Sequence, residues 1–281
     1  MERFLIPMPE IPESREDDLH GLEYLDDAEL SLFVAGNQFM VMDELIDAFK
    51  KEYPEITKIF YETLPPGLEL KQILAGGAKF KDKIIPGRPD IYASVCKEAM
   101  DELSEHGLIN NEDSFIYLHN RIVLMVHKDN PKKIEKVEDL ARDDVRISQP
   151  NPQYEDIANY IIRMYRQAGG DELVNRIMEE KRAEATTIFT IVHHRETPLR
   201  LLKGTCDVGP VWATEVLEAE RKGLDLVGIE PGEELDQRDV VNYFIAPLKN
   251  SKNSENAQKF LEFIRSDTAK KIYKKYGFLP E

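Results

Sequence analysis

Cysteine is almost missing from this chain: Cys96 and Cys206 stand far apart, so neither a zinc-type cluster nor a CxxC redox pair can be built from them. A single bridge between the two stays open, and the thiols define no compartment. No apolar run approaches the roughly 20 residues that a membrane-spanning helix needs. The first residues, MERFLIPMPEIPESREDD, lack the basic start and apolar stretch of a secretion signal. The chain therefore reads as cytoplasmic or as beginning after a removed signal. Positive charge is in deficit, with 37 Lys and Arg against 53 Asp and Glu and a formal charge of −16. That balance speaks against general nucleic-acid binding, which needs a broad basic surface to neutralise phosphates. It leaves room for a small anion, because local N–H groups act at short range while distant surface charge is screened. GxSxG, a GxGxxG after the first strand, HExxH and a P-loop are all missing, so no residues offer themselves for an enzymatic mechanism. No internal repeat of about 20–50 residues occurs.

What is present is ordinary globular material: 281 residues, 42% of them hydrophobic, enough for one large core or two modest ones. Its most informative stretch is residues 31–53, SLFVAGNQFMVMDELIDAFKKEY. Leu32, Phe33 and Val34 make an apolar strand, and Ala35, Gly36 and Asn37 a small turn. Met40, Leu45, Ile46 and Phe49 then mark the apolar face of a helix whose other face carries Asp43, Glu44, Asp47, Lys50 and Lys51. The first N–H groups of such a helix lack intrahelical partners and point off the strand's carboxyl end, where open α/β sheets bind ligands. Free N–H groups and the helix dipole both favour a small anion there. The same pattern is equally that of one more βα unit in a sheet.

Further along, residues 1–28 are Pro- and acid-rich and read as a loose N-terminal arm. Ile59–Thr63 predicts a strand, Leu68–Gly76 a helix closed by Gly76-Gly77, PGRPDIYASV a strand, and Lys97–His106 a helix ending at Gly107. After these come a strand over Arg121–His127, the charged loop KDNPKKIEKVEDL and a short strand at Val145–Ser148. Helices follow over Ile157–Ala168, capped by Gly169-Gly170, and Asp171–Lys181. Cys206–Trp212 and Val240–Pro247 read as strands, Ala213–Lys222, Glu255–Ser266 and Thr268–Tyr276 as helices. Alternating strands and helices in two groups predict an α/β fold of two lobes joined by crossing strands.

Four stretches carry a family resemblance: VAGNQFMVMDELIDAFKKEYP, GRPDIYASVCKEAMDELSEHGLI, NRIVLMVHKDNP and FLEFIRSDTAKKIYKKYGFLP. From about residue 29 to residue 281 the chain resembles the bacterial solute-binding proteins of ABC importers with the type II periplasmic fold, and among them the molybdate/tungstate-binding group. The resemblance implies two α/β lobes joined by crossing hinge strands, here 29–122 plus 242–281 and 123–241. It implies a small oxyanion captured between them by neutral donors, a membrane permease as partner, a periplasmic or extracellular location with the signal removed, and neither catalysis nor a cofactor. Such a fold also serves as the ligand-sensing subunit of signalling receptors.

At the site the match to the family is partial. Where the family offers a first serine this chain has Gly36-Asn37-Gln38; where it offers a second, Pro66-Gly67, which moves that contact to Gly67 or Leu68 because proline has no N–H. His194-Arg195 occupy the third position, Trp212 stands where the family has tyrosine, and Gln153 and Tyr154 match the remaining contact loosely. Ser94 ends the third strand near the expected cleft, with Cys96 two residues on, a thiol that suits a bland core position or a soft-ligand contact. Trp212 suits core packing as well as a ligand contact. His193, His194 and Glu196 invite a metal, but neighbours on one chain rarely converge on one ion, and anion donors or packing roles fit them better. Arg195 suits a charge-assisted bond to an oxyanion and equally an ion pair with an acidic neighbour. A different anion or a small polar solute would fit these altered donors nearly as well as molybdate.

Overall fold

A computed structural model describes residues 6–95, 97–153, 155–191, 196–249 and 251–281. In chain order, β1 (Leu19–His20) precedes β2 (Leu30–Val34), a 3-10 turn (Gly36–Gln38) and α1 (Phe39–Glu52). Val41, Met42, Leu45, Ile46 and Phe49 are buried on one face of α1, and Asp43 and Asp47 face water on the other, as the 3.6-residue period requires. β3 (Ile59–Glu62) leads to α2 (Pro66–Ala75), whose first residue is a proline, where no N–H is needed. Gly76 ends α2 in the left-handed region (φ 79°) and donates its N–H back to Gln72 and Ile73. A hairpin of β4 (Gly77–Phe80) and β5 (Lys83–Pro86) follows, then β6 (Ile91–Ser94), α3 (Lys97–Glu105), β7 (Phe115–His119) and β8 (Ile122–His127).

The chain continues through β9 (Ile147–Gln149) into α4 (Ile157–Asn175), which kinks where Gly169 and Gly170 leave helical dihedrals, the point at which the sequence predicts a cap. A π turn (Arg176–Glu180) and a last turn α5 (Lys181–Ala183) extend it. Then come β10 (Thr187–Phe189), α6 (Glu196–Leu202), β11 (Val208–Trp212), α7 (Ala213–Arg221), β12 (Leu226–Ile229), β13 (Asn242–Pro247), α8 (Ser254–Ile264), α9 (Asp267–Lys275) and β14 (Leu279–Pro280).

These elements group into two compact units. The first comprises Met1–Leu118, Asn242–Lys275 and Pro280–Glu281; the second comprises His119–Val241 and Tyr276–Leu279. The first is built on a sheet of order β1-β3-β2-β6-β13-β7-β14, in which β3, β2 and β6 run parallel while β1 and β13 run antiparallel to their neighbours. Its core gathers Phe33, Phe60, Leu64, Phe80, Tyr92, Met100 and Leu103. The second unit has a sheet of order β10-β9-β11-β8-β12, with β10, β9 and β11 parallel and β8 antiparallel to both β11 and β12. Val123, Met125, Cys206, Val211, Val216 and Leu226 pack in its core.

Within the stretch whose composition predicts a loose arm, residues 9–20 are tied to the first unit. Lys79 N–H donates to the Pro9 carbonyl (2.9 Å), Ile11 N–H to Lys79 (2.8 Å) and Thr63 N–H to Asp18 (2.9 Å), and β1 pairs antiparallel with β3. Ile11 and Leu19 are buried, so a few apolar side chains in an acidic stretch anchor it over a hairpin and a sheet edge that would otherwise leave backbone groups unpaired.

Candidate ligand site

In the first unit the parallel strands β3, β2 and β6 lie side by side, and each is followed by a helix, so their carboxyl ends bring the first turns of α2, α1 and α3 to one edge of the sheet. The turns before α1 and α2 touch. Gly36 N–H donates to the Leu64 carbonyl at 3.0 Å, and a Cβ on Gly36 would sit 2.7 Å from the Thr63 carbonyl oxygen. Gln38 N–H donates to Ala35 at 2.8 Å. Two of the three N–H groups of this turn therefore already have carbonyl partners, and Asn37 supplies the third.

The side chains of Asn37 and Gln38 point inward. Asn37 donates its amide to the Tyr243 hydroxyl; Gln38 is fully buried and accepts from Tyr117 (2.8 Å) and Tyr273 (3.4 Å). The rings of Tyr117 and Tyr273 meet edge to face at 6.0 Å. Burial holds both phenols well above their ordinary pKa, so they stay protonated donors. Asn37 Oδ1 and Gln38 Nε2 have no hydrogen-bond partner among the described residues. This tyrosine network, which the sequence does not announce, fixes the turn from beneath.

At α2, Leu68 N–H and Glu69 N–H both donate to the Pro65 carbonyl (2.8 and 3.1 Å). Gly67 is exposed, and a Cβ there would meet nothing within 4 Å, so its backbone is open to close approach. Behind this turn lie Glu62, Glu69 and Gln72, all fully buried. A charged residue at an inward strand position and Glu69-to-Gln72 spacing on one helix face are the signals that point to them. Ser94 is also fully buried, at the end of β6 opposite Phe244.

In the second unit Gln153 is exposed and its N–H caps the Asn151 side chain at 3.0 Å. Asn151 N–H in turn reaches Glu155 Oε1 and Thr190 Oγ1, both at 3.1 Å. Gln153 borders a recess of about 250 Å³ together with Asn151, Ile162, Met178, Arg182 and Phe189. Trp212 ends β11, is 2% exposed and lies 6.0 Å from the Tyr160 ring, outside that recess. Arg200 donates to the Ile188 and Phe189 carbonyls (2.9 and 3.0 Å), to Ser148 Oγ (3.3 Å) and to Glu196 (2.8 Å). Ile191 N–H donates to the other oxygen of Glu196 at 2.8 Å, so both oxygens of that carboxylate accept protein donors. Tyr154, His193, His194 and Arg195 lie outside the described residues, as does Cys96. Among the described residues no cluster of three or more His, Cys, Asp or Glu could hold a metal, and no helix is long and apolar enough to cross a membrane.

Parallel strands feeding helix N-termini at one sheet edge, twice over in one chain, are the architecture of the type II periplasmic binding proteins. The chain belongs to the family described as bacterial extracellular solute-binding protein, whose model matches residues 30–279. It is 23% identical over 257 residues to YvgL of Bacillus subtilis (strain 168), named as an ABC transporter substrate-binding lipoprotein, with 90% of this chain and 86% of YvgL covered. It is 24% identical over 215 residues to the molybdate-binding protein ModA of Mycobacterium tuberculosis, covering 76% of this chain and 74% of ModA. The solved structure of the sulfate-binding protein SubI from Mycobacterium tuberculosis H37Rv superposes with a TM-score of 0.70 at 17% identity, covering 89% of this chain and 86% of SubI.

Proposed function

We propose that this protein captures a small oxyanion of the molybdate or tungstate kind outside the cytoplasm and delivers it to the permease of an ABC importer. The observation that carries the reading is the pair of touching turns before α1 and α2, at the carboxyl ends of β2 and β3. Helix N-termini favour negative charge through their free N–H groups and their dipoles. Asn37 N–H and Gly67 N–H are the donors we assign to the ligand. The kinship with ModA and YvgL supports molybdate and an importer respectively. We also propose Arg195, through a charge-assisted bond to an anion, and Gln153, Tyr154, His194 and Trp212 as candidate ligand contacts of the second unit, and Leu68 and Ser94 as candidate ligand contacts of the first.

A thermal-shift panel of molybdate, tungstate, sulfate, phosphate and uncharged polar solutes tests the reading. A ligand present at about 100 times its Kd stabilises the native state by about 2.7 kcal/mol, a shift of several degrees. Molybdate and tungstate are expected to raise the melting temperature most. If neither moves it, the oxyanion assignment fails. Arg195→Ala is expected to weaken anion binding at least tenfold; unchanged affinity removes Arg195 from the site.

A further inference from the structure

Beneath the first turn of α2 sits a polar group outside the proposed ligand contacts. Glu62 ends β3 on the side where Phe60, two residues earlier, enters the core. Glu69 and Gln72 come from neighbouring positions on one face of α2. None of the three is exposed at all. Among the described residues two donors reach the carboxyls: Gln72 Nε2 to Glu62 Oε2 at 3.3 Å and Leu64 N–H to Glu69 Oε1 at 3.1 Å. Among the described residues neither carboxyl has a cationic partner. Three oxygens, Glu62 Oε1, Glu69 Oε2 and Gln72 Oε1, have no donor among the described residues.

An ionised pair of carboxylates in such surroundings is costly, because burial without compensation disfavours charge and each charge disfavours the other. The geometry indicates how the cost is avoided. The Glu62 and Gln72 head groups already meet on one side, Nε2 to Oε2. The Oε1 atoms of Glu62 and Gln72, both without a donor among the described residues, are the two that one proton on Glu62 would join, making the two-point pair of a carboxylic acid with a primary amide.

We propose that Glu62 is held as the neutral acid, donating its proton to Gln72, and that its ionisation loosens the 63–65 loop on which both ligand-facing turns rest. That loop is the shared support. Leu64 N–H is tied to Glu69, the Leu64 carbonyl receives Gly36 N–H, and the Thr63 carbonyl lies against Gly36. Other charged groups face the pair. Asp18 adds its negative field to Glu69 and is itself bound by Arg15 at 3.0 Å and Thr63 Oγ1 at 3.4 Å. Tyr117 on β7 feels Glu69 and stays protonated. Burial raises both glutamates well above the ordinary carboxyl value. Raised native pKa values fix the sign: the native state binds more protons than the unfolded chain, so stability is complete in acid and falls as pH rises through the native pKa. The effect on anion affinity rests on the oxyanion reading; the effect on stability stands without it.

The test measures melting temperature against pH from about 5 to 9 at constant ionic strength, without ligand, for the wild type, Glu62→Gln and Glu69→Gln. The wild type is expected to lose several degrees toward alkaline pH. Glu62→Gln, which keeps an amide pair with Gln72, is expected to retain the acid-side melting temperature and lose most of that slope; Glu69→Gln is expected to reduce it. A wild-type slope retained in Glu62→Gln overturns the proposal. So does a calcium-, magnesium- or sodium-dependent stabilisation of the wild type that Glu62→Gln abolishes, since a cation would then hold the oxygens in place of a proton. Should Glu62→Gln not fold, infrared spectra of wild-type protein with labelled glutamate carboxyls decide the matter: a protonated-carboxyl band at neutral pH is expected, and its absence overturns the proposal. Molybdate affinity that weakens with pH in the wild type but not in Glu62→Gln extends the effect to the site. If molybdate does not bind at all, the ligand reading fails while the stability slopes still judge the proton.

Discussion

Gly36 and Thr63 meet so closely that the Thr63 carbonyl oxygen occupies the space of a side chain on residue 36, 2.7 Å from where a Cβ would be. The backbone of Gly36 is not in the left-handed region, so the demand for glycine is one of approach rather than of dihedral. The Leu64 carbonyl oxygen lies 3.2 Å from the same point. Gly36→Ala must push the 63–65 loop away or move the start of α1. An overpacking cost of about 1–3 kcal/mol is expected, read as a lower urea midpoint with an unchanged slope. A wild-type midpoint in Gly36→Ala would mean that the two turns are free to separate.

The tyrosines beneath the same turn give a graded prediction. Tyr117 approaches Gln38 Oε1 at 2.8 Å and Tyr273 at 3.4 Å, so the first bond is near ideal and the second long. Tyr117→Phe removes the better donor from a buried acceptor and is expected to cost about 1–2 kcal/mol; Tyr273→Phe should cost less than half of that. Denaturant unfolding of the two single variants and the double variant checks the order. Because both hydroxyls share one acceptor, the double variant should cost more than the sum of the singles.

The α/β class and the family are legible in the chain because they depend on local, periodic signals. Residues 31–53 predict a strand, a tight turn and an amphipathic helix, and the structure has β2, the Gly36–Gln38 turn and α1 there. The hairpin of β4 and β5 escapes such reasoning: its strands are four residues long, and Lys79, Lys83 and Ile84 on its surface blur any alternation. β7 and β12 are likewise short, at five and four residues. At the candidate site the position of the helix N-termini is legible, but the state of their donors is not. Gly36 N–H is taken by a carbonyl from the loop after a different strand. The hydroxyls that engage Asn37 and Gln38 come from 206, 79 and 235 residues away. No spacing rule reaches contacts of that range; only the folded sheet brings them together.

In the second unit, Asp207 and Arg146 give an acid-side prediction. Asp207 accepts Arg146 N–H at 2.8 Å and both arms of its guanidinium at 3.1 and 2.8 Å. Burial of this carboxylate, 8% exposed, pushes its pKa upward, but the Arg146 hydrogen bonds and charge outweigh burial and hold it below the ordinary value. A lowered native pKa contributes stability that is present above the unfolded pKa and lost as pH falls through the native one. Asp207→Asn is expected to cost about 1 kcal/mol at neutral pH, a modest figure because the Arg146 side chain is 43% exposed and screened by solvent. The gap between variant and wild type should narrow below about pH 4, near the ordinary aspartate value. Urea midpoints at neutral and acid pH read it; a gap independent of pH would remove the ion pair as its cause.

Gly67 separates folding from binding. It is the second residue of α2, exposed, with space where a side chain would go, and its dihedrals lie outside the positive-φ region. Alanine there is compatible with the helix and restricts the unfolded chain, so Gly67→Ala is expected to leave stability unchanged or to raise it by about 0.4–1 kcal/mol. The added methyl stands over the N–H that we assign to the anion. Every ångström by which it holds the anion off weakens a charge-assisted bond whose strength depends on close approach. A loss of molybdate affinity of tenfold or more, alongside an undiminished melting temperature in the absence of ligand, is therefore the expected pair of results. Titration calorimetry and thermal unfolding of the same sample supply both. Undiminished affinity would move the anion away from the α2 turn, whereas a fall in both quantities would mean that the methyl meets a neighbour and that Gly67 serves the fold.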